Sequence, residues 1–173
     1  MKIELRPMTA FENEDVYRMF QEIPAEEDGF KNPAHGMSRE EFAAFCQEEV
    51  DHSLGKNLAE GYVPGTYYLL FVNEQPVGLI KLRHFLNEHL RKFGGHIGYG
   101  IRPSCRGNKW GNLILAELLK FAKAKGIDKA LLTIRDYNVR SRKVCEHNGG
   151  VLEKIEHGKD FGECYYWIDL ADA

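Results

Sequence analysis

The sequence predicts an α/β protein of the mixed α+β kind, with helices on the faces of a mixed, mostly antiparallel sheet. Three observations point to it. The middle of the chain reads as strand, basic turn, helix and strand in "HIGYGIRPSCRGNKWG" (96–111), "NLILAELLKFAKAKG" (112–126) and "KALLTI" (129–134). Such a crossover lays its two strands side by side and parallel. A hairpin pattern flanks this unit on each side, and the first sixty residues carry helical spacing and a capping signal.

In chain order, "KIELRPM" (2–8) alternates as a strand does, and "FENEDVYRMFQEI" (11–23) spaces Phe11, Val16, Met19, Phe20 and Ile23 near a helical period. "PAEEDGFKNPAHGM" (24–37) is a loop by composition, and its acidic "AEEDG" could steer a cationic amine. Ser38 with Glu41 three residues later is a capping box, so a helix starts there. "GTYYLLFVNEQPVGLIKLRHF" (65–85) is a hairpin around "NEQP", and "LNEHLRKFGG" (86–95) a polar, partly helical connection. The helix after residue 111 stops at Gly126. "KALLTI" is continuously apolar, as a strand covered on both faces should be. Asn138 caps a short helix that ends at Gly149-Gly150, and "VLEKIEH" with "ECYYWIDL" closes the chain as a hairpin. The order gives about seven strands and about four helices.

At 173 residues the chain suits one domain with a real core, spanning 1–173. Its net charge of −3 gives no overall pull towards nucleic acid, so any anion site must be local. No apolar run approaches the ~20 residues of a membrane span, and the N-terminus has no apolar signal core. The four cysteines, at 46, 105, 145 and 164, have neither metal-knuckle spacing nor the density of a disulfide scaffold. Reduced thiols in a cytoplasmic protein without a metal are the expectation.

The densest basic stretch is "RPSCRGNK", at the turn before a helix. Amides at a helix N-terminus have no internal partner, and with the macrodipole they attract an anion. Arg102, Arg106 and Lys109 add charge, and Gly107 and Gly111 would let a phosphate approach the main chain. A Walker A loop is excluded because Asn112 follows Gly111. The glycines of "GGHIGYG" lie before and within a strand, which excludes a dinucleotide fingerprint.

Taken with "ALLTIRDYNVRSRKVCEHNGGVLE", the stretch "IRPSCRGNKWGNLIL" resembles the acetyl-CoA-binding half of the GCN5-related N-acetyltransferase (GNAT) superfamily. The family's Arg/Gln-x-x-Gly-x-Gly/Ala loop falls on Arg106, Gly107, Asn108, Lys109, Trp110 and Gly111, with Lys109 in place of the first motif glycine. Its second signature falls on "NVRSRKVCEHNGG". The resemblance covers residues 66 to the end. The run "LRHFLNEHLRKFGGHIGYGIRPS" further resembles a bacterial subgroup described as predicted acetyltransferases.

The resemblance implies a GNAT-like sheet with a splayed parallel strand pair, acetyl-CoA as cosubstrate, and acetyl transfer to an amine of a small molecule or peptide. Pantetheine would lie between "HIGYGIR" and "KALLTI", the main chain of Ile101 on the thioester carbonyl, and the diphosphate on the amides from Arg106 to Gly111. Arg102 would stand with them, and Asn138 and Ser141 would face the pantetheine arm. The N-terminal helices, about 10–60, would take the acceptor; dimers are common in the family, and "ECYYWIDL" could pair at an edge. An alkyl amine is mostly charged at pH 7, so a base is needed. His84 and His96 are the candidates because histidine titrates near working pH. Cys145 stands where many members carry a tyrosine acid, and is otherwise a small buried apolar residue. The alternative is a catalytically weak domain that senses CoA or another nucleotide.

Overall fold

The structure, a computed structural model, describes residues 1–171. A four-stranded antiparallel sheet is built from β1 (Ile3–Pro7), β4 (Gly65–Val72), β5 (Gln75–Arg83) and β6 (Ile97–Ile101), in the spatial order β1-β4-β5-β6. A three-stranded antiparallel sheet has β9 (Gly162–Asp169) between β7 (Lys129–Arg135) and β8 (Gly150–His157). The five helices are α1 (Glu14–Glu22), α2 (Arg39–Ser53), α3 (Glu88–Lys92), α4 (Trp110–Ala124) and α5 (Val139–His147).

The seven long strands are those read from the sequence, and α1, α2, α4 and α5 are its four helices. Side-chain caps set most of the helix starts. Asn13, Asn87 and Asn138 accept from the backbone three residues on, and Ser38 with Glu41 forms the reciprocal box. Alternation divides β4 and β5 between two cores. Tyr68, Leu70, Ile80 and Leu82 meet α4, while Tyr67, Leu69, Phe71 and Leu79 meet α1 and α2. The β4–β5 turn is two residues, Asn73 and Glu74, both at positive φ (48° and 66°), a conformation whose twist matches a hairpin. Glu74 accepts this because its carboxylate holds Lys2 and Arg6, each at 2.9 Å.

Two features differ from the sequence reading. The loop 24–37 contains a short hairpin, β2 (Glu26–Glu27) and β3 (Phe30–Lys31), with Asp28 and Gly29 at positive φ at its tip. Two-residue strands are too short for alternation to register. The segment "ECYYWIDL" forms β9, hydrogen-bonded on both sides, so it has no edge on which to pair with a second copy. The edges of that sheet are β7, which faces β6, and β8.

The two sheets meet at β6 and β7, which the α4 crossover brings alongside each other. Among the described residues no ladder joins them. They are pinned at one point. The His96 N–H donates to Leu131 O (2.8 Å), and its imidazole Nδ1 accepts from Leu131 N–H (2.9 Å). His96 O meanwhile accepts from Arg83 N–H at 2.7 Å, tying the joint to β5. A Cβ on Gly95, whose φ is +60°, would lie 2.4 Å from Leu131 O. The Gly95→Ala variant is therefore expected to lose about 2 kcal/mol or more of stability in urea unfolding, from backbone strain and a main-chain clash together.

Candidate active site

Beyond the pin the strands diverge, and the backbone between them has no partner strand. Arg102 N–H donates to Val77 O at 2.8 Å. By antiparallel alternation the main-chain groups of Gly98 and Gly100 then face β5, and those of Tyr99 and Ile101 face the gap. Across it, Leu131 turns its amide and carbonyl to His96, so Thr133 and Arg135, two and four residues on, turn theirs the same way. The gap opens into a cleft of about 2080 Å³. Ordinary small-ligand pockets measure roughly 300–1,000 Å³, so this one has room for a long ligand and a second molecule.

One end of the cleft is the start of α4. Its N-cap, Lys109, is left-handed (φ 61°) and offers no side-chain hydrogen bond, whereas α1, α2, α3 and α5 are each capped by a side chain. Arg106, Lys109 and, from α5, Arg140 and Lys143 line the cleft. Four cations around uncapped amides make a site for a polyanion. Gly107 has φ +92° with open space beside it, so it serves the loop path. Gly111, which lines the cleft, has a packing task as well: a Cβ there would lie 3.3 Å from Val144 Cγ2, so it permits the close α4–α5 contact. Trp110 lines the cleft, and the Asn108 amide folds back onto Cys105 O at 3.1 Å.

The other predicted binding residues divide. Asn138 caps α5 through Ser141 N–H (3.3 Å), and both side chains line the cleft. Arg102 is taken by the Glu22 carboxylate (3.2 Å) and Pro76 O (3.4 Å), and is not part of the lining. Arg106 is in the lining, yet Nε donates to Ile101 O (3.1 Å) and Nη2 to Glu27 Oε1 (2.5 Å). On the opposite wall Glu26 meets Arg135 at 3.4 Å. The β2–β3 hairpin thus straddles the cleft mouth, one carboxylate on each side. Phe30 from the same hairpin lies 3.0 Å from where a Cβ on Gly100 would be. The acidic loop read as a lure for cations has these two carboxylates already neutralised.

Of the candidate acid–base residues, His84 sits outside the cleft, its Nε2 2.8 Å from Thr66 Oγ1. Burial lowers its pKa, with Lys125 adding to the effect. His96 is 5% exposed with Nδ1 engaged, and burial, aided by Arg91 and Arg83, lowers its pKa to about 4. Cys145 is fully buried behind Gly150, and burial pushes its thiol up to about 12. Two further groups reach the cleft: Tyr99, which shares a strand with His96 and ranks below the histidines on sequence chemistry, and Glu163, which sequence reasoning passed over. The Tyr99 hydroxyl lies 3.3 Å from Ser141 Oγ, and burial raises its pKa against that hydrogen bond. Glu163, on β9 opposite Arg135, has its pKa raised by burial, with Thr133 and Arg135 opposing. Tyr99 alternates with glycines and Glu163 opens a strand; only the strand pairing brings either to the gap.

Residues 2–151 match a family described as "Acetyltransferase (GNAT) domain", and the chain belongs to this acetyltransferase family. No curated protein matches it. Solved structures do. RimL, a ribosomal-protein alpha-N-acetyltransferase in complex with coenzyme A, is 19% identical, with TM-score 0.72 over 100% of this chain and 97% of its own. The microcin self-immunity acetyltransferase MccE, in complex with acetyl-CoA and AMP, is 14% identical (TM-score 0.67, 98% and 93% covered). A chimera of the spermidine N-acetyltransferase SpeG from Vibrio cholerae and hSSAT is 13% identical (TM-score 0.65, 98% and 96% covered). At these identities the likeness is one of fold. Among the described residues no helix is long and apolar enough to cross a membrane, and no group of three or more His, Cys, Asp or Glu is placed to hold a metal ion.

The joint makes stability depend on pH. The His96 pKa lies near 4 in the fold, against about 6.5 when unfolded. The unfolded chain binds the proton first, so stability present above pH 6.5 falls as pH drops towards 4. The expected loss is about 3 kcal/mol, from ~1.4 kcal/mol per pKa unit. The His96→Gln variant, which keeps an acceptor and cannot titrate, should lack this component when unfolding is compared at pH 7 and pH 4.5.

Proposed function

We propose that the protein moves an acetyl group from acetyl-CoA to a primary amine of a small molecule or peptide by direct attack. One observation carries this: a long cleft that begins at an uncapped, cation-ringed helix start and continues between two strands with unpaired main-chain groups. The diphosphate would rest on the α4 amides from Arg106 to Gly111, with Lys109 and Arg106 beside it. Arg106 would exchange Glu27 for phosphate oxygens. The pantetheine amides would pair with the open backbone of β6 and β7, with Asn138 and Ser141 along the arm. The Ile101 N–H, aimed into the gap, would hold the thioester carbonyl and steady the oxyanion as the amine adds.

Two proton transfers complete the reaction. The incoming ammonium must lose a proton, and Glu163 is the carboxylate in the cleft whose burial raises its basicity. The thiolate needs one back, and the Tyr99–Ser141 hydroxyl pair stands on the α5 side for that purpose. His96 acts in this reading by fixing where the strands part, and Arg102 by anchoring the loop to Glu22. Residues 10–60 and the acetyl-CoA half from about 66 to 170 act as a single domain across one cleft. The four free thiols suit the cytoplasm.

CoA release from acetyl-CoA over a broad amine panel tests the reaction; tight CoA binding without turnover would favour the sensing alternative. The Arg106→Glu variant is expected to weaken CoA binding by tenfold or more in calorimetry while leaving a pantetheine fragment without the diphosphate nearly unchanged. Equal losses for both would overturn the pose. Glu163→Gln is expected to lower kcat by about 10²–10⁴-fold, the range of a lost general base, with CoA affinity retained.

A further inference from the structure

The acceptor wall of the cleft holds two cations from one strand face, Lys81 and Arg83, and they are treated differently. Lys81 has a counter-charge: Glu49 Oε2 lies 3.5 Å away, and its ammonium sits 4.8 Å from the Tyr67 ring centroid. Arg83 has none. Among the described residues it makes no ion pair, and its side-chain hydrogen bonds are two long ones from Nη1, to Gly94 O (3.3 Å) and Gly95 O (3.2 Å). The remaining donors of this half-buried guanidinium are not sealed in the core, so an anionic ligand in the cleft can reach them. Burial duly lowers its pKa.

The position of that guanidinium matters. Gly94, whose carbonyl it touches, donates its own N–H to Thr133 Oγ1 at 3.0 Å, and Thr133 neighbours Glu163. Arg83, Gly94, Thr133 and Glu163 all line the cleft. An unmatched cation and a basic carboxylate therefore flank the same two residues without closing on each other within 4 Å. A ligand that carries both charges could engage the two groups, its ammonium towards Glu163 and its carboxylate towards Arg83.

We propose that the acceptor is a zwitterion, an amine whose own carboxylate is bound by Arg83, as in a free amino acid. The inference rests on the acyl-transfer reading and narrows it; a polyamine would meet repulsion at Arg83 where an amino acid meets a partner. Arg83 is then a specificity-determining residue, gripping the substrate through the two-pronged contact that guanidinium makes with carboxylate.

The test compares, for each of the twenty amino acids, the free acid, its amide and its decarboxylated amine, by CoA release from acetyl-CoA. At least one acid should exceed its amide and its amine tenfold or more in kcat/KM. Amines or amides turned over as well as, or in place of, the acids would overturn the proposal and leave acetyl transfer standing. CoA binding with no turnover of any amine would overturn both. In Arg83→Gln, shown to fold by unchanged CoA affinity, kcat/KM for the preferred acid should fall tenfold or more, mainly through KM. Its amide should be unaffected, and Arg83→Lys should restore part of the preference. Equal losses for acid and amide would make Arg83 structural and overturn the assignment; should Arg83→Gln not fold, the acid-to-amide ratio of the wild type decides alone.

Discussion

The whole arrangement depends on one histidine standing in for a backbone carbonyl. Regular parallel pairing would continue from His96–Leu131 by zipping Tyr99 and Ile101 to Thr133 and Arg135. Instead the imidazole of His96 takes the Leu131 N–H, which uses the last available β7 donor before the strands separate. Of the main-chain groups beyond it, Ile101 O accepts from Arg106 Nε, and the others are left to water or a ligand, because unpaired polar backbone is costly when buried. A cleft lined by open main chain is a direct consequence of this single substitution of side chain for main chain. Burial, aided by Arg91 and Arg83, lowers the His96 pKa to about 4 and keeps the imidazole neutral, the form that can accept that hydrogen bond.

The β2–β3 hairpin solves the complementary problem. A cleft rimmed with guanidinium groups repels itself while nothing anionic is in it. Glu27 and Glu26 reach over the mouth to Arg106 and Arg135 and neutralise one from each wall. Both pairs are partly open to water, so each contributes little to stability, on the order of 1 kcal/mol or less. That weakness suits the role. A doubly charged diphosphate that also collects the α4 amides can displace Glu27 from Arg106, whereas a buried ion pair would resist exchange.

Much of this was legible in the sequence because it is written in periodicity and caps. The seven long strands and four principal helices follow from spacing, from Ser38 with Glu41, and from Asn138. The α4 turn follows from a basic run before a helical one. What the sequence hides is orientation. Arg102 and Arg106 are four residues apart in one loop, and either is a fair choice for an anion, but Glu22, eighty residues earlier, takes Arg102 out of the cleft. His96 is a plausible base by its chemistry alone; only the position of Leu131 makes it a hinge. Tyr99 and Glu163 carry no local signature, since each reaches the cleft through strand register, a long-range property. Gly111 satisfies a phosphate-loop motif in sequence and a helix-packing need in space, and the motif cannot tell the two apart.

The two faces of β6 divide the cleft into two unlike sides. Ile97, Tyr99 and Ile101 direct their side chains to the α4–α5 side, where Tyr99 meets Ser141. Gly98 and Gly100 face the other way, beneath Phe30 and Ile23. The absence of side chains on that second face leaves the strand backbone within reach from that side, with the Phe30 ring against it. Charge follows the same division. The cations at the α4 and α5 helix starts line one part of the cleft, while Lys81 with Glu49, and Arg83 and Glu163, line another. A strand that alternates aromatic or aliphatic with glycine is therefore a partition, with bulk on one face and bare main chain on the other.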